Sequence, residues 1–95
     1  MYGTVARLQA KAGAQAKIAA LAREMRAVEI HGLVADYLYQ VDNVEDVYYM
    51  AVVFETKAAY MANANSPEQD ARNQRLRAIL VADPEWHDGE ILSVE

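Results

Sequence analysis

Val47-Tyr48-Tyr49-Met50-Ala51-Val52-Val53-Phe54 is an uninterrupted apolar run of eight residues, rich in β-branched and aromatic side chains. With no polar residue to mark a solvent side, it reads as a strand covered on both faces. It is also far short of the ~20 residues that a membrane-spanning helix needs. Working outward, the polar segment Asp42-Asn43-Val44-Glu45-Asp46 turns the chain before it. Upstream of that, Leu33 to Val41 alternates Leu33, Ala35, Tyr37, Tyr39 with Val34, Asp36, Leu38, Gln40, a second strand with aromatics on one face. Asp42, Glu45 and Asp46 lack the Gly and terminal Glu of a calcium loop, so the turn reads as solvated.

Nearer the start, Tyr2 to Gln9 alternates as a first strand and ends at the Lys11-Ala12-Gly13 turn. From Ala14 to Val28, the residues Ile18, Leu21, Ala22, Met25 and Val28 follow helical spacing, and His31-Gly32 offers a left-handed exit. Downstream of the central run, Thr56 caps a short helix through Tyr60 to about Ala64. Ser66-Pro67-Glu68-Gln69 then opens another helix, with Ser as cap, Pro at the first position and Gln69 placed for a capping box. That helix buries Leu76, Ile79 and Leu80, pairs Glu68 with Arg72 on its surface and stops at Asp83-Pro84. Trp86 to Val94 supplies the last strand, with Asp88-Gly89 as a bulge or kink.

The order β-α-β-β-α-β predicts an α+β, ferredoxin-like fold: a four-stranded antiparallel sheet with helices packed on one face. Nothing is left in the chain to cover the other face, although the central run is apolar on both sides. A second copy of the sheet is the simplest cover, so a homodimer is expected.

Composition narrows the function. The 95 residues carry a net charge of −5, which speaks against a nucleic-acid backbone binder. Without Cys there is no disulfide framework and no thiolate nucleophile. With no signal peptide and no linker, one soluble cytoplasmic domain over residues 1–95 is expected, with no membrane partner. The four Gly are scattered, so there is no phosphate loop. His31 and His87 have no second ligand at a recognisable spacing, and no metal site is expected.

Six Tyr and one Trp stand against a single Phe, so most aromatic positions carry a polar tip. Tyr37, Tyr39, Tyr48, Tyr49, Tyr60 and Trp86 suit a pocket for a partly polar aromatic molecule, and equally a core or dimer interface. Asn63, Asn65, Asn73 and Arg72 cluster in the second helical region, where such groups either orient a ligand oxygen or form exposed helix surface.

The pattern resembles the antibiotic biosynthesis monooxygenase superfamily, whose members are dimeric α+β barrels. The likeness rests on Tyr2-Gly3-Thr4-Val5-Ala6-Arg7 with its Lys11-Ala12-Gly13 turn, and on Phe54-Glu55 leading into a helix with Tyr60 and Asn63. Ser66-Pro67 and the closing Ala82-Asp83-Pro84-Glu85-Trp86-His87-Asp88-Gly89-Glu90 segment complete it. The resemblance implies a pocket between helices and sheet, and oxidation of phenols by O2 without a cofactor in some members. In haem-degrading members the corresponding places hold Asn, Trp and a His ligand. Here they hold Ala6, Asn63 and Asn73, so no haem is expected. The resemblance gives Asn63 the role of holding the substrate oxygen, with Arg72 and Asn73 beside it. Trp86 and Tyr37 or Tyr49 are expected to form apolar walls. Trp86 and His87 point to opposite faces of an extended strand, and Trp86 is read as the wall, with His87 as the alternative proton acceptor. The expected function is cofactor-free oxygenation of a small phenol or quinol. The alternative is a homodimer of the same fold that binds a small molecule, or serves structurally, without catalysis.

Overall fold

In the computed structural model, which describes residues 1–94, strand β1 (Tyr2–Gln9) lies at the middle of the sheet and helix α1 (Gln15–Ala27) follows it. Strands β2 (Leu33–Gln40) and β3 (Val47–Phe54) come next, then helices α2 (Lys57–Ala64) and α3 (Pro67–Ala78), and strand β4 (Glu85–Glu90) closes the chain. The sheet order is β2-β3-β1-β4, antiparallel throughout. This is the ferredoxin-like α+β architecture, with its second helical region divided into two helices.

Register assigns the faces. Residues directly opposite one another in antiparallel strands share a side of the sheet. One transverse row is Asp36, Val52, Thr4 and Asp88; the next is Leu38, Met50, Ala6 and Trp86. Both rows lie under the helices, where Ala6, Leu8 and Tyr48 join Ile18 of α1 and Leu76 of α3 in one buried cluster. A second cluster joins Met25, Val52, Phe54 and Ala59. The intervening residues Val5, Ala35, Tyr37, Tyr39, Tyr49, Ala51 and Val53 form the opposite face, which no element among the described residues covers. There Tyr37 is 58% exposed and Tyr39 55%.

Several local expectations are revised. Strand β4 ends at Glu90 rather than Val94, although the Ile91 amide still donates to Met1 O at 2.9 Å. Asp88 and Gly89 pair regularly with Thr4 and Gly3, so they form no bulge. The irregularity lies instead in β2, between Leu33 and Ala35. Helix α1 ends at Ala27 on an extended Val28, and Gly32, at φ +79, serves the turn into β2, not the helix exit. A side chain at Gly32 would also collide with Ala59 of α2, so the turn needs glycine for both conformation and space. No helix among the described residues is long and apolar enough to cross a membrane.

Candidate functional site

The three helices do not close completely on the sheet. Between them lies a cavity of about 290 Å³, at the small end of the range for small-molecule sites. Its floor comprises Thr4, Asp36, Leu38, Met50, Val52, Trp86 and Asp88 of the sheet, and α1 contributes the apolar wall of Ile18, Leu21, Ala22 and Met25. Tyr60 and Asn63 of α2, with Gln69, Arg72 and Asn73 of α3, form the roof.

Local sequence chemistry assembles that roof. The Thr56 hydroxyl accepts from the Ala59 amide and starts α2. Two turns on, Ser66 ends one helix and begins the next: its Oγ donates to Asn63 O at 2.7 Å and accepts from the Gln69 amide at 3.1 Å. The sharp junction brings Asn63 and Gln69 side by side. Gln69 Oε1 accepts from Asn63 Nδ2 at 3.1 Å and from Arg72 Nε and Nη2 at 3.2 and 3.0 Å, while Gln69 Nε2 donates to Asn73 Oδ1 at 3.1 Å. Gln69 is therefore the hub of the amide cluster. Its side chain does not complete the expected capping box, and Arg72 turns to it instead of pairing with Glu68. The Arg72 guanidinium forms no ion pair among the described residues, and three of its five N–H donors remain available.

At the other end of the cavity, Tyr60 packs its ring against Tyr2 and Phe54, with centroids at 5.2 and 5.6 Å, and donates its hydroxyl to Asp88 Oδ1 at 2.8 Å. Burial, and then the Asp88 carboxylate, push the Tyr60 phenol from 10.0 up to about 12, so it stays a neutral donor. The nearby Thr4 hydroxyl favours the ionised form of Tyr60 slightly but falls short of a hydrogen bond. Thr4 Oγ1 is left buried without a partner. Asp36, from edge strand β2, has a side chain only 8% exposed, and among the described residues it is ion-paired with Arg26, whose Nε donates to Oδ1 at 3.4 Å.

Of the residues expected from sequence, Asn63, Arg72, Asn73 and Trp86 line this one cavity. The remaining three do not. His87 pairs with Val5 on the uncovered face, opposite in direction to Trp86 and Asp88. Tyr37 and Tyr49 are on that same face, where Tyr49 stacks with Tyr39 at 5.9 Å. Neither Tyr walls the cavity and His87 cannot take a proton there, because the period-two alternation of their strands aims them away from the helices. Sequence reasoning passed over Gln69 as a site residue, as well as Thr4, Asp36 and Asp88, and named Tyr60 only among the aromatics that suit a pocket, a core or an interface alike. Among the described residues, no group of three or more His, Asp or Glu side chains gathers in a way that would hold a metal.

With this geometry established, three comparisons bear on the chain. The family model described as "Antibiotic biosynthesis monooxygenase" matches residues 1–75; β4, with Trp86 and Asp88, follows the matched segment. No curated protein matches. Solved structures share the fold. SnoaB, a cofactor-independent oxygenase from Streptomyces nogalater, superposes with a TM-score of 0.83 at 18% identity, covering 98% of this chain and 94% of that one. An Asn-to-Ala variant of SnoaB gives 0.84 over the same shares, also at 18% identity. A conserved protein from Methanosarcina mazei Go1 gives 0.80 at 14% identity, over 93% of this chain and 89% of that one.

Proposed function

The chain belongs to the antibiotic biosynthesis monooxygenase family, and from that premise we propose that its cavity binds a small phenol or quinol and oxygenates it with O2, without a cofactor. The observation that carries this reading is the unpaired Arg72 cation, held with Asn63 by a shared Gln69 carbonyl at the roof of a mostly apolar cavity. A phenolic oxygen placed there meets a positive charge and amide N–H donors, both of which favour its ionised form. The phenolate makes the ring carbon electron-rich enough to reduce O2 directly. In the balanced reaction, a phenol with a free ring C–H takes up O2: one oxygen atom becomes the new quinone carbonyl, and the other leaves as water with the phenolic and ring hydrogens. The substrate is its own reductant. Trp86 and the α1 residues keep water from the reacting edge. The description of SnoaB as a cofactor-independent oxygenase supports the reading.

The same reading makes the protein a cytoplasmic homodimer, its uncovered sheet face packed against a second copy with helices outside.

The test is O2 consumption across a panel of phenols and quinols, with Asn63→Ala as control. Removing one donor to a developing oxyanion typically costs about 10²–10³ in turnover, so the variant is expected to lose nearly all activity while its thermal midpoint changes little. Full turnover in Asn63→Ala would overturn its role. No consumption with any compound that binds would leave a binding protein of the same fold.

A further inference from the structure

Two polar groups of the cavity floor lie in one transverse row: Thr4, whose buried hydroxyl has no partner among the described residues, and Asp36, whose carboxylate accepts from Arg26. Thr4 is 5% exposed and its hydroxyl makes no hydrogen bond. Asp36, one strand beyond Val52, keeps a carboxylate with an 8% exposed side chain, only one long contact to Arg26, and no hydrogen bond to Oδ2 among the described residues. Strands are spaced by about 4.8 Å, so the two residues sit roughly 10 Å apart on the floor, with the cavity above both. The cavity thus presents a carboxylate that a ligand donor can reach, and a hydrogen bond to a charged acceptor is a strong one. Asp88, at the end of the same row, differs: it accepts from Tyr60 and is open to water.

We propose that Asp36 is a recognition subsite for a second hydroxyl group of the ligand. It lies across the cavity from the Arg72 and Asn63 roof that holds the first oxygen. A carboxylate only accepts, so the subsite favours a hydroxyl over a methoxy group or a carbonyl. The ligand it selects is an aromatic diol with hydroxyls on well-separated edges. A quinone carbonyl, unable to donate, loses the Asp36 contact, so that oxidising this second hydroxyl weakens binding. This inference rests on the cavity's being the ligand site, as proposed above.

Calorimetric titration under argon tests it without turnover. Naphthalene-1,5-diol and naphthalene-2,6-diol are each compared with their monomethyl ethers, on the wild type and on Asp36→Asn, which preserves shape. Hydrogen bonds to a charged group imply a preference of about ten- to a hundredfold for a diol over its ether in the wild type. That preference should fall below about threefold in Asp36→Asn. Thr4→Val, in the same row but roughly 10 Å away, should leave the preference unchanged, and its loss there would overturn the assignment to Asp36. Equal binding of both diols and their ethers by the wild type would overturn the subsite alone, as would a preference that survives in Asp36→Asn. Absence of binding by any of the four compounds would overturn the ligand site itself, and the subsite with it.

Discussion

The two sides of one sheet carry similar apolar side chains to opposite ends. On the helix side, Leu8, Tyr48, Val52 and Phe54 are sealed into the core, and the polar residues among them face a cavity. On the other side, Val5, Tyr37 and Tyr39 stand open to water. The difference does not come from hydrophobicity, since Val52 and Val53 are the same residue side by side. It comes from which face the crossover helices cover. Amphipathic helices give one face a roof with room beneath it; the other face is flat and bare, and suits a second sheet.

The sharpest way to break this comparison is to place one carboxylate on each side. Val52→Asp buries an unpaired charge under α2 and should cost on the order of 4 kcal/mol or more, leaving little folded protein by circular dichroism. Val53→Asp on the bare face should stay folded and sediment as a monomer, whereas the wild type is expected to sediment as a dimer. Identical behaviour of the two variants would erase the distinction between faces.

A smaller effect sharpens the covered side. Thr4→Val removes a buried hydroxyl that lacks a partner and should raise stability by about 1 kcal/mol, a gain of roughly 4–8 °C in thermal midpoint for a domain of this size. A loss of stability would mean that the hydroxyl is already satisfied.

The next concerns alkaline pH. The Tyr60 phenol is held at about 12 in the fold against 10.0 ordinarily, so the folded state retains a proton that the unfolded chain releases. Stability is fully present below about pH 10 and falls as the pH rises toward 12. In Tyr60→Phe this part of the decline should vanish, and absorbance titration should lose one ionisation step near pH 12. Burial under the helix side of the sheet, and then the Asp88 contact, tie the shift to the covered side.

The smallest effect is at the periphery. The surface contact of Glu24 with Arg75, at 2.8 Å to each carboxylate oxygen, holds the Glu24 carboxyl below its ordinary value. Its contribution is present above about pH 4.5 and is lost as pH falls through the depressed value. Glu24→Gln should therefore lower the thermal midpoint only slightly at pH 7, with no change at pH 2.

Much of this was legible because the signals were local. The bounds of β1 and β3 follow from alternation and from one unbroken apolar run, and Ser66-Pro67 announces α3 by its capping chemistry. What alternation cannot say is which of two apolar faces the helices will cover. Tyr37 and Tyr49 looked as suitable for a pocket as Trp86, yet register aims them at the bare side. Asp36 went unnoticed because a polar residue alternating with aromatics reads as solvent-facing, whereas here the aromatics face solvent and the carboxylate faces the helices. Gln69 was legible as a cap neighbour, but its hub role depends on Arg72 and Asn73 one turn further along α3 and on Asn63 across the junction. That encounter exists only once the α2–α3 corner is built. The bulge in β2 has no glycine or proline to announce it, and Asp88-Gly89, which has the glycine, pairs regularly.

The Ser66 hydroxyl has a consequence in time as well as in space. It fastens the end of α2 and the start of α3 in a single bifunctional latch, and helices of eight and twelve residues are too short to persist by themselves. Fraying of either helix end at this corner therefore costs the other one of its terminal hydrogen bonds. Ser66→Ala, which removes both contacts at once, should speed hydrogen exchange at the end of α2 and at the start of α3 together.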